Sequence, residues 1–356
     1  MTFDPLTARI EISRSALLHN IRSLRERLGP DRLIAAVLKG NAYGHGRDLV
    51  AEVVADSVDL LAAADPADAI ALAHLAPGKA LSLGPAHDEI LDECVAHAVQ
   101  VAVSDDRQLD GLCPQAKVHL LVDTGLHRLG VAPQHAPALA DAVRATGARI
   151  EAAFCMVARA DYGEWNSVAE ELRLLRALPL GVDRFHTGGS SVTLERPDLA
   201  GDIGRPGLAL LGYHPRQEQR YLVHLEPSLR LIAPILELRT VSAGGSVGYQ
   251  ARRLERTTVV ATLPIGVAHG LHPSTDAHVV AEVGGSLCPF LCSPSLDYSL
   301  LDVTDAPNAR VGDEALLLGG CPGRPTSVID VADRLGILID HMLTPLSPSL
   351  RRVAVP

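Results

Sequence analysis

A chain of 356 residues is too long for one average domain and suits two. Hydrophobic residues make up 47%, enough for a large buried core. The net charge of −10, from 32 basic and 42 acidic residues, argues against a nucleic-acid binder, which needs clustered Lys and Arg.

The first 225 residues alternate short apolar runs with helix-like segments. The runs are Leu33–Leu38, Asp59–Ala63, Ala80–Leu83, Val99–Val103, Lys117–Val122, Ile150–Val157, Asp183–His186 and Leu208–Leu211. They show little polar alternation, as parallel strands buried on both faces should. Between them, Ser13–Leu28 reads as a helix with Ser13 as N-cap and Leu17, Leu18, Ile21, Leu24 and Leu28 on one stripe, and Trp165–Leu178 reads as another. Eight strand–helix units predict a (β/α)8 TIM-like barrel with its active site at the C-terminal ends of the strands. A doubly wound open sheet is the alternative, but no G-x-G-x-x-G follows the first strand.

After about residue 225 the helical period fades. Strand-like segments follow at Leu229–Ser242, Thr257–Pro264, His278–Val283, Ser299–Thr304 and Glu314–Leu318, punctuated by Gly244-Gly245, Gly284-Gly285 and Gly319-Gly320. The expected organisation is α/β: a barrel over 1–225 and a mostly-β domain over 226–356. The N-terminus has no basic stretch followed by an apolar run, and no apolar run reaches membrane-span length, so neither a secretory signal nor a membrane partner is expected. The six cysteines are scattered and read as reduced thiols of a cytoplasmic protein. Cys288 and Cys292 lack a second ligand pair, so no metal is expected.

Two features carry chemistry on their own. Lys39 follows the first strand at once, where a barrel lysine faces the active-site mouth and can form a Schiff base with an aldehyde cofactor. Thr187-Gly188-Gly189-Ser190-Ser191 follows the seventh run, and Arg205-Pro206-Gly207-Leu208 leads into the eighth. Barrels often hold phosphate in these two loops, through N–H groups and hydroxyls.

The stretch Ala35-Ala36-Val37-Leu38-Lys39-Gly40-Asn41-Ala42-Tyr43-Gly44-His45-Gly46 closely resembles the cofactor-lysine motif of the alanine racemase family. The resemblance recurs in family order along the chain. It includes Val122-Asp123-Thr124-Gly125 with Arg128, the Arg205-Pro206-Gly207-Leu208 segment, Val247-Gly248-Tyr249, Leu263-Pro264-Ile265-Gly266, Asp302-Val303-Thr304 and Val311-Gly312-Asp313-Glu314.

The resemblance implies pyridoxal 5'-phosphate as cofactor and an amino-acid racemase interconverting L and D enantiomers by two-base proton transfer at Cα. Lys39 would bind the cofactor and serve as one base, and Tyr249 as the other. Arg205 would meet the pyridine nitrogen without protonating it, since its own pKa is above about 12. Tyr43, Ser190, Gly207 and Leu208 would take the phosphate. Arg128 would meet the substrate carboxylate or the cofactor's phenolic oxygen. Leu296 and Asp297 would lie near the substrate mouth, and His45 reads as a packed residue rather than a base. In the family the tyrosine comes from the partner subunit, which implies a head-to-tail homodimer.

Several family residues are missing. Leu121 stands where many members have a lysine, Met156 replaces a histidine, and Gly189 replaces an asparagine. Val267 replaces a tyrosine, His269 an acid and Leu296 a methionine. Asp340 falls about where another tyrosine would be. The wider pocket this implies suggests a substrate larger than alanine, with a polar or basic side chain. A decarboxylase, aldolase or lyase on the same fold is the second reading, and a non-catalytic carrier of the cofactor is the third.

Overall fold

The computed structural model describes residues 7–274 and 279–356. The chain divides into two compact units: Ser15–Tyr43 with Arg47–Glu226, and the described residues up to Arg14 with Gly44–Gly46 and Pro227–Pro356.

The first unit is a nearly closed barrel of eight parallel strands. Leu33–Val37, Leu60–Ala63, Ala80–Pro85, Gln100–Val103, Lys117–Leu121, Arg149–Phe154 and Phe185–His186 pair in sequence order. Ile203–Gly204 pairs back with Leu33–Val37. One apolar cluster gathers residues from these strands, including Val37, Leu83, Leu121, Phe154 and Ile203, with alanines at 35, 62, 102 and 152. Helices Arg47–Val54, Pro66–Leu75, Asp88–Ala96, Ala136–Ala145 and Trp165–Ala177 follow successive strands. Between Gln100–Val103 and Lys117–Leu121 the connection is only a 3-10 segment, Asp106–Gly111.

The eighth strand differs from expectation. It is Ile203–Gly204, and Leu208–Leu211 forms tight turns instead, with Leu211 N–H donating to the carbonyls of Gly207 and Leu208. A short apolar run reads alike as a buried strand or a buried helical turn. Here the N–H groups of Gly207 and Ala209 are taken by Ser190 Oγ rather than by a strand ladder. The helix runs over Arg14–Leu28, directly after Ser13, which also ends the strand Arg9–Ser13; Leu17, Ile21, Leu24 and Leu28 are buried and Leu18 half-buried. Its buried Asn20 donates to the carbonyls of Leu210 and Glu226 and accepts from Glu226 N–H, which pins the 208–211 turns.

The second unit is mostly β. A six-stranded sheet runs Ser286–Pro289, Val280–Val283, Glu314–Leu318, Leu229–Pro234, Arg9–Ser13, Arg351–Val355. A three-stranded sheet contains Glu237–Val241, Thr258–Leu263 and Ser299–Asp302. The expected single strand Leu229–Ser242 is therefore two. The chain changes sheets at Ile235-Leu236, whose N–H groups go to Asp313 and Thr262 carbonyls respectively. His278, expected to open a strand, lies outside the described residues. The amphipathic helix Val328–Leu335 was not expected after residue 225. It starts at Ser327, whose side chain accepts from Asp330 N–H, and ends at Gly336 in the left-handed region. All six cysteines are free: Cys94, Cys155, Cys288 and Cys292 are buried, Cys113 half-buried and Cys321 exposed. Among the described residues no helix is long and apolar enough to cross a membrane.

Candidate active site

Lys39 stands just past the C-terminal end of the first barrel strand, on an unusual piece of backbone. Gly40, Asn41 and Ala42 form a left-handed turn with φ of 59°, 55° and 52°, and Tyr43 follows at 50°. Left-handed backbone costs roughly 1–2 kcal/mol for each non-glycine residue, and such strain collects at functional sites. The turn is held by Ala42 N–H donating to Leu38 O at 2.8 Å and by Asn41 Oδ1 accepting from Arg47 N–H at 2.9 Å. Lys39 is exposed, with Nζ 5.7 Å from the centre of the Tyr43 ring.

Tyr43 lies against Gly207. A Cβ on Gly207 would fall 2.6 Å from the phenolic oxygen and 2.9 Å from the ring, so only glycine lets the phenol rest there. Gly207 is in turn joined to Ser190, whose buried Oγ accepts from the N–H groups of Gly207 and Ala209, both at 3.1 Å. A hydroxyl has two lone pairs and one proton. With both lone pairs engaged, the proton of Ser190 is the group it has to offer an anion. Gly188 is sterically required, because a Cβ would meet Val192 Cγ2 at 2.0 Å. Gly189 is not, since its nearest neighbour would be Arg205 O at 3.7 Å. The Tyr43 phenol and the Ser190 hydroxyl are thus gathered at Gly207, two donors suited to a phosphate.

Arg205 directly follows the last barrel strand and is fully buried. It donates to Cys155 O at 2.8 Å, faces His186 Nδ1 at 3.1 Å and lies 5.2 Å from the Phe154 ring centre. Every one of these partners is neutral. Burial lowers its guanidinium pKa to about 10. His186 stacks on Phe154, rings 4.7 Å apart and 3° from parallel, and its Nε2 is 2.9 Å from His119 Nδ1. His119 Nε2 reaches Gln100 Oε1 at 2.8 Å. Burial, aided by the charge of Arg205, pushes His119 down to about 3 and His186 well below the usual histidine value. The motifs around Lys39 and Arg205 did not single out His119, His186 or Gln100. The signal available was three polar side chains inside otherwise apolar strand runs.

Arg128 is exposed, in a loop organised by Asp123. Burial pushes the Asp123 carboxyl up, but N–H donation from His127 and Gly125 outweighs it and holds the group below its ordinary value. Leu121 is buried and Met156 half-buried, and both pack in the barrel cluster. The charge and the ring expected at these two positions are replaced by one apolar contact region.

In the second unit, Tyr249 sits in the turn after Ser246–Val247 and is 96% exposed. With Cys292, Ser293, Ser295 and Tyr298 it lines a cavity of about 300 Å³. Gly248 precedes it at φ 68°, where a Cβ would lie 2.5 Å from Cys292 Sγ. Val267 and Leu296 are brought together: Val267 N–H donates to Ser295 O at 3.0 Å and Ala268 N–H to Leu296 O at 2.9 Å. Leu296 is 64% exposed, and Asp297 beside it is exposed too. Asp340 lies in the first turn of the short helix Ile339–Leu343, where its Oδ1 accepts from His341 N–H. His45 is buried.

Comparison with known proteins bears on the family and the fold. Residues 12–215 match the alanine racemase N-terminal domain and residues 228–354 the alanine racemase C-terminal domain. An alanine racemase of Deinococcus radiodurans is 35% identical over 350 residues, covering 96% of this chain and 97% of the relative. Among solved structures, alanine racemase of Streptomyces coelicolor A3(2) superposes with a TM-score of 0.87 at 27% identity, covering 98% of each chain. That of Clostridium difficile 630 shares the fold with a TM-score of 0.90 at 23% identity, covering 100% of this chain and 97% of the other. With both domains matched in order across nearly its whole length, the chain belongs to the alanine racemase family of isomerases.

Proposed function

We propose that this chain is an amino-acid racemase that works with pyridoxal 5'-phosphate, and that its substrate is larger than alanine. The observation that carries the cofactor assignment is a phenol and a serine hydroxyl gathered at Gly207, together with a lysine at a barrel strand end. Pyridoxal phosphate, when bound, withdraws electrons from the substrate Cα–H bond and makes that proton removable.

The rest falls to residues of this chain. Tyr43, Ser190 and the backbone of Gly207 and Leu208 hold the phosphate. Lys39 anchors the cofactor and, when substrate is bound, exchanges a proton with Cα from one face. Tyr249 exchanges the proton on the opposite face. One base removes and the other returns, so configuration inverts with no net change in protons. Arg205 donates to the ring nitrogen while keeping its own proton, which favours simple proton exchange over deeper electron withdrawal. Arg128 meets the substrate carboxylate, and Leu296 and Asp297 border the substrate. The near-complete exposure of Tyr249 suits a head-to-tail homodimer in which each tyrosine serves the partner's Lys39.

A valine at 267 in place of a tyrosine supports a wider pocket that admits a polar or basic side chain. The experiment is complementation. Lys39→Ala and Tyr249→Phe should each be inactive, and mixing them should restore part of the racemase activity. Inactive mixtures would refute the shared site, and full activity of Tyr249→Phe alone would refute the second base.

A further inference from the structure

We propose that Gln100 and His119 are positioning residues for Arg205, acting through His186 by fixing which nitrogen of each imidazole carries the proton. What Arg205 then contacts rests on the cofactor reading above; the proton order does not.

The order follows from chemistry at one end. A guanidinium has N–H donors and no acceptor. His186 Nδ1, 3.1 Å from Arg205, must therefore accept and carries no proton. Burial keeps the ring neutral, so its single proton sits on Nε2 and points 2.9 Å to His119 Nδ1. That nitrogen accepts in turn, which leaves the His119 proton on Nε2, directed 2.8 Å to Gln100 Oε1. Each link has one donor and one acceptor, and every donor points away from Arg205. Reversing any link would set two N–H groups, or two lone pairs, against each other inside the barrel. Gln100 is the terminator: its neutral amide oxygen accepts the last hydrogen bond.

The chain of contacts is anchored along its length. Gln100 opens the strand Gln100–Val103, His119 lies inside Lys117–Leu121, His186 ends Phe185–His186, and Arg205 follows Ile203–Gly204. Gln100 and His119 also line a cavity of about 100 Å³ with Lys117, Glu151 and Arg184. The network thus links the N-terminal ends of the barrel strands to the arginine at the opposite ends. A carboxylate partner would have neutralised Arg205. Neutral acceptors hold its orientation and leave its full charge at the site. With one donor spent on His186 and another on Cys155 O, the remaining N–H groups have a single orientation to offer.

The test reads protons directly. In the full-length protein labelled with 15N-histidine, with and without pyridoxal phosphate, the two rings assigned by substitution should both be neutral with the proton on Nε2 near pH 7. A proton on Nδ1 of either ring, or a charged ring, would overturn the proposal. The second arm compares His119→Asn with His119→Leu. Asparagine Oδ1 stands where His119 Nδ1 stands and still accepts from His186, whereas leucine fills the space and accepts nothing. The slowly exchanging guanidinium signal of Arg205 should persist in the asparagine variant and shift or broaden in the leucine variant. Cofactor affinity should fall about tenfold in the leucine variant alone. If the leucine variant leaves the Arg205 signal unchanged, positioning is refuted. If the signal moves while cofactor affinity does not, the positioning holds and the reading of Arg205 as a cofactor contact fails.

Discussion

Leu121 and Met156 pack in the same apolar cluster inside the barrel, although they come from different strand ends. In the family pattern these positions are polar, a lysine and a histidine. Both are apolar here: Leu121 is buried in the cluster and Met156 packs against it. Restoring only the lysine would place an ammonium at a position 1% exposed among hydrocarbon side chains. Leu121→Lys should therefore lose about 2 kcal/mol or more of stability, seen as a lower urea midpoint. An unchanged midpoint would show that the lysine finds solvent or a partner.

The glycine pair at 189 and 207 gives a contrast. Gly207→Ala drives a methyl into the Tyr43 phenol, whereas Gly189→Ala meets only open space and one carbonyl at 3.7 Å. Gly207→Ala should weaken pyridoxal phosphate binding by about tenfold or more through displacement of the phenol, since overpacking costs roughly 1–3 kcal/mol. Gly189→Ala should bind normally. Equal binding by both variants, measured by cofactor titration, would remove Gly207 and Tyr43 from the phosphate site.

Stability should depend on pH through the barrel histidines. The unfolded chain protonates them near about 6.5. In the fold His119 is pushed down to about 3 and His186 well below the usual value, in both cases chiefly by burial. Unfolding thus takes up protons below about pH 6.5. Stability is complete above that value and declines as pH falls, by about 1.4 kcal/mol per pH unit for each histidine. The His119 share levels off near its folded value of about 3. Denaturation midpoints at several pH values should show a slope of about two protons, with His214, also lowered by burial, adding to it. His119→Asn should remove one. A flat profile between about pH 6.5 and about pH 4.5 would mean that the rings are charged in the fold.

Pocket width has its own test. Val267→Tyr should restore a wall beside Leu296 and shift kcat/KM toward alanine over arginine or lysine by about tenfold or more. No shift would place residue 267 outside the specificity surface.

Much of this was legible in the sequence, for physical reasons. Parallel barrel strands are buried on both faces, so their apolar runs stand out, and seven of the eight were found within a few residues. Leu208–Leu211 was misread because burial alone makes it apolar, and a turn tied to Ser190 has no periodic mark. The strand Arg9–Ser13 was missed because it is short and its partners, Leu229–Pro234 and Arg351–Val355, lie over 200 residues away. The left-handed turn at Gly40–Tyr43 leaves only Gly40 as a trace, since Asn41, Ala42 and Tyr43 are held there by contacts. The sequence shows Gln100, His119 and His186 as polar residues inside apolar runs, but not that they join, because their order comes from three strands meeting.

In the proposed reaction Lys39 and Tyr249 exchange a proton at Cα with pyridoxal phosphate in place. The most direct measurement is reaction of single-enantiomer alanine, serine, lysine and arginine in deuterated water, with chiral separation and mass analysis of the product. The expected product is the opposite enantiomer carrying one deuteron at Cα, with every other bond intact and a larger amino acid preferred over alanine. Release of carbon dioxide, of an aldehyde or of ammonia without inversion, or no exchange at Cα in any of the four, would contradict that reaction.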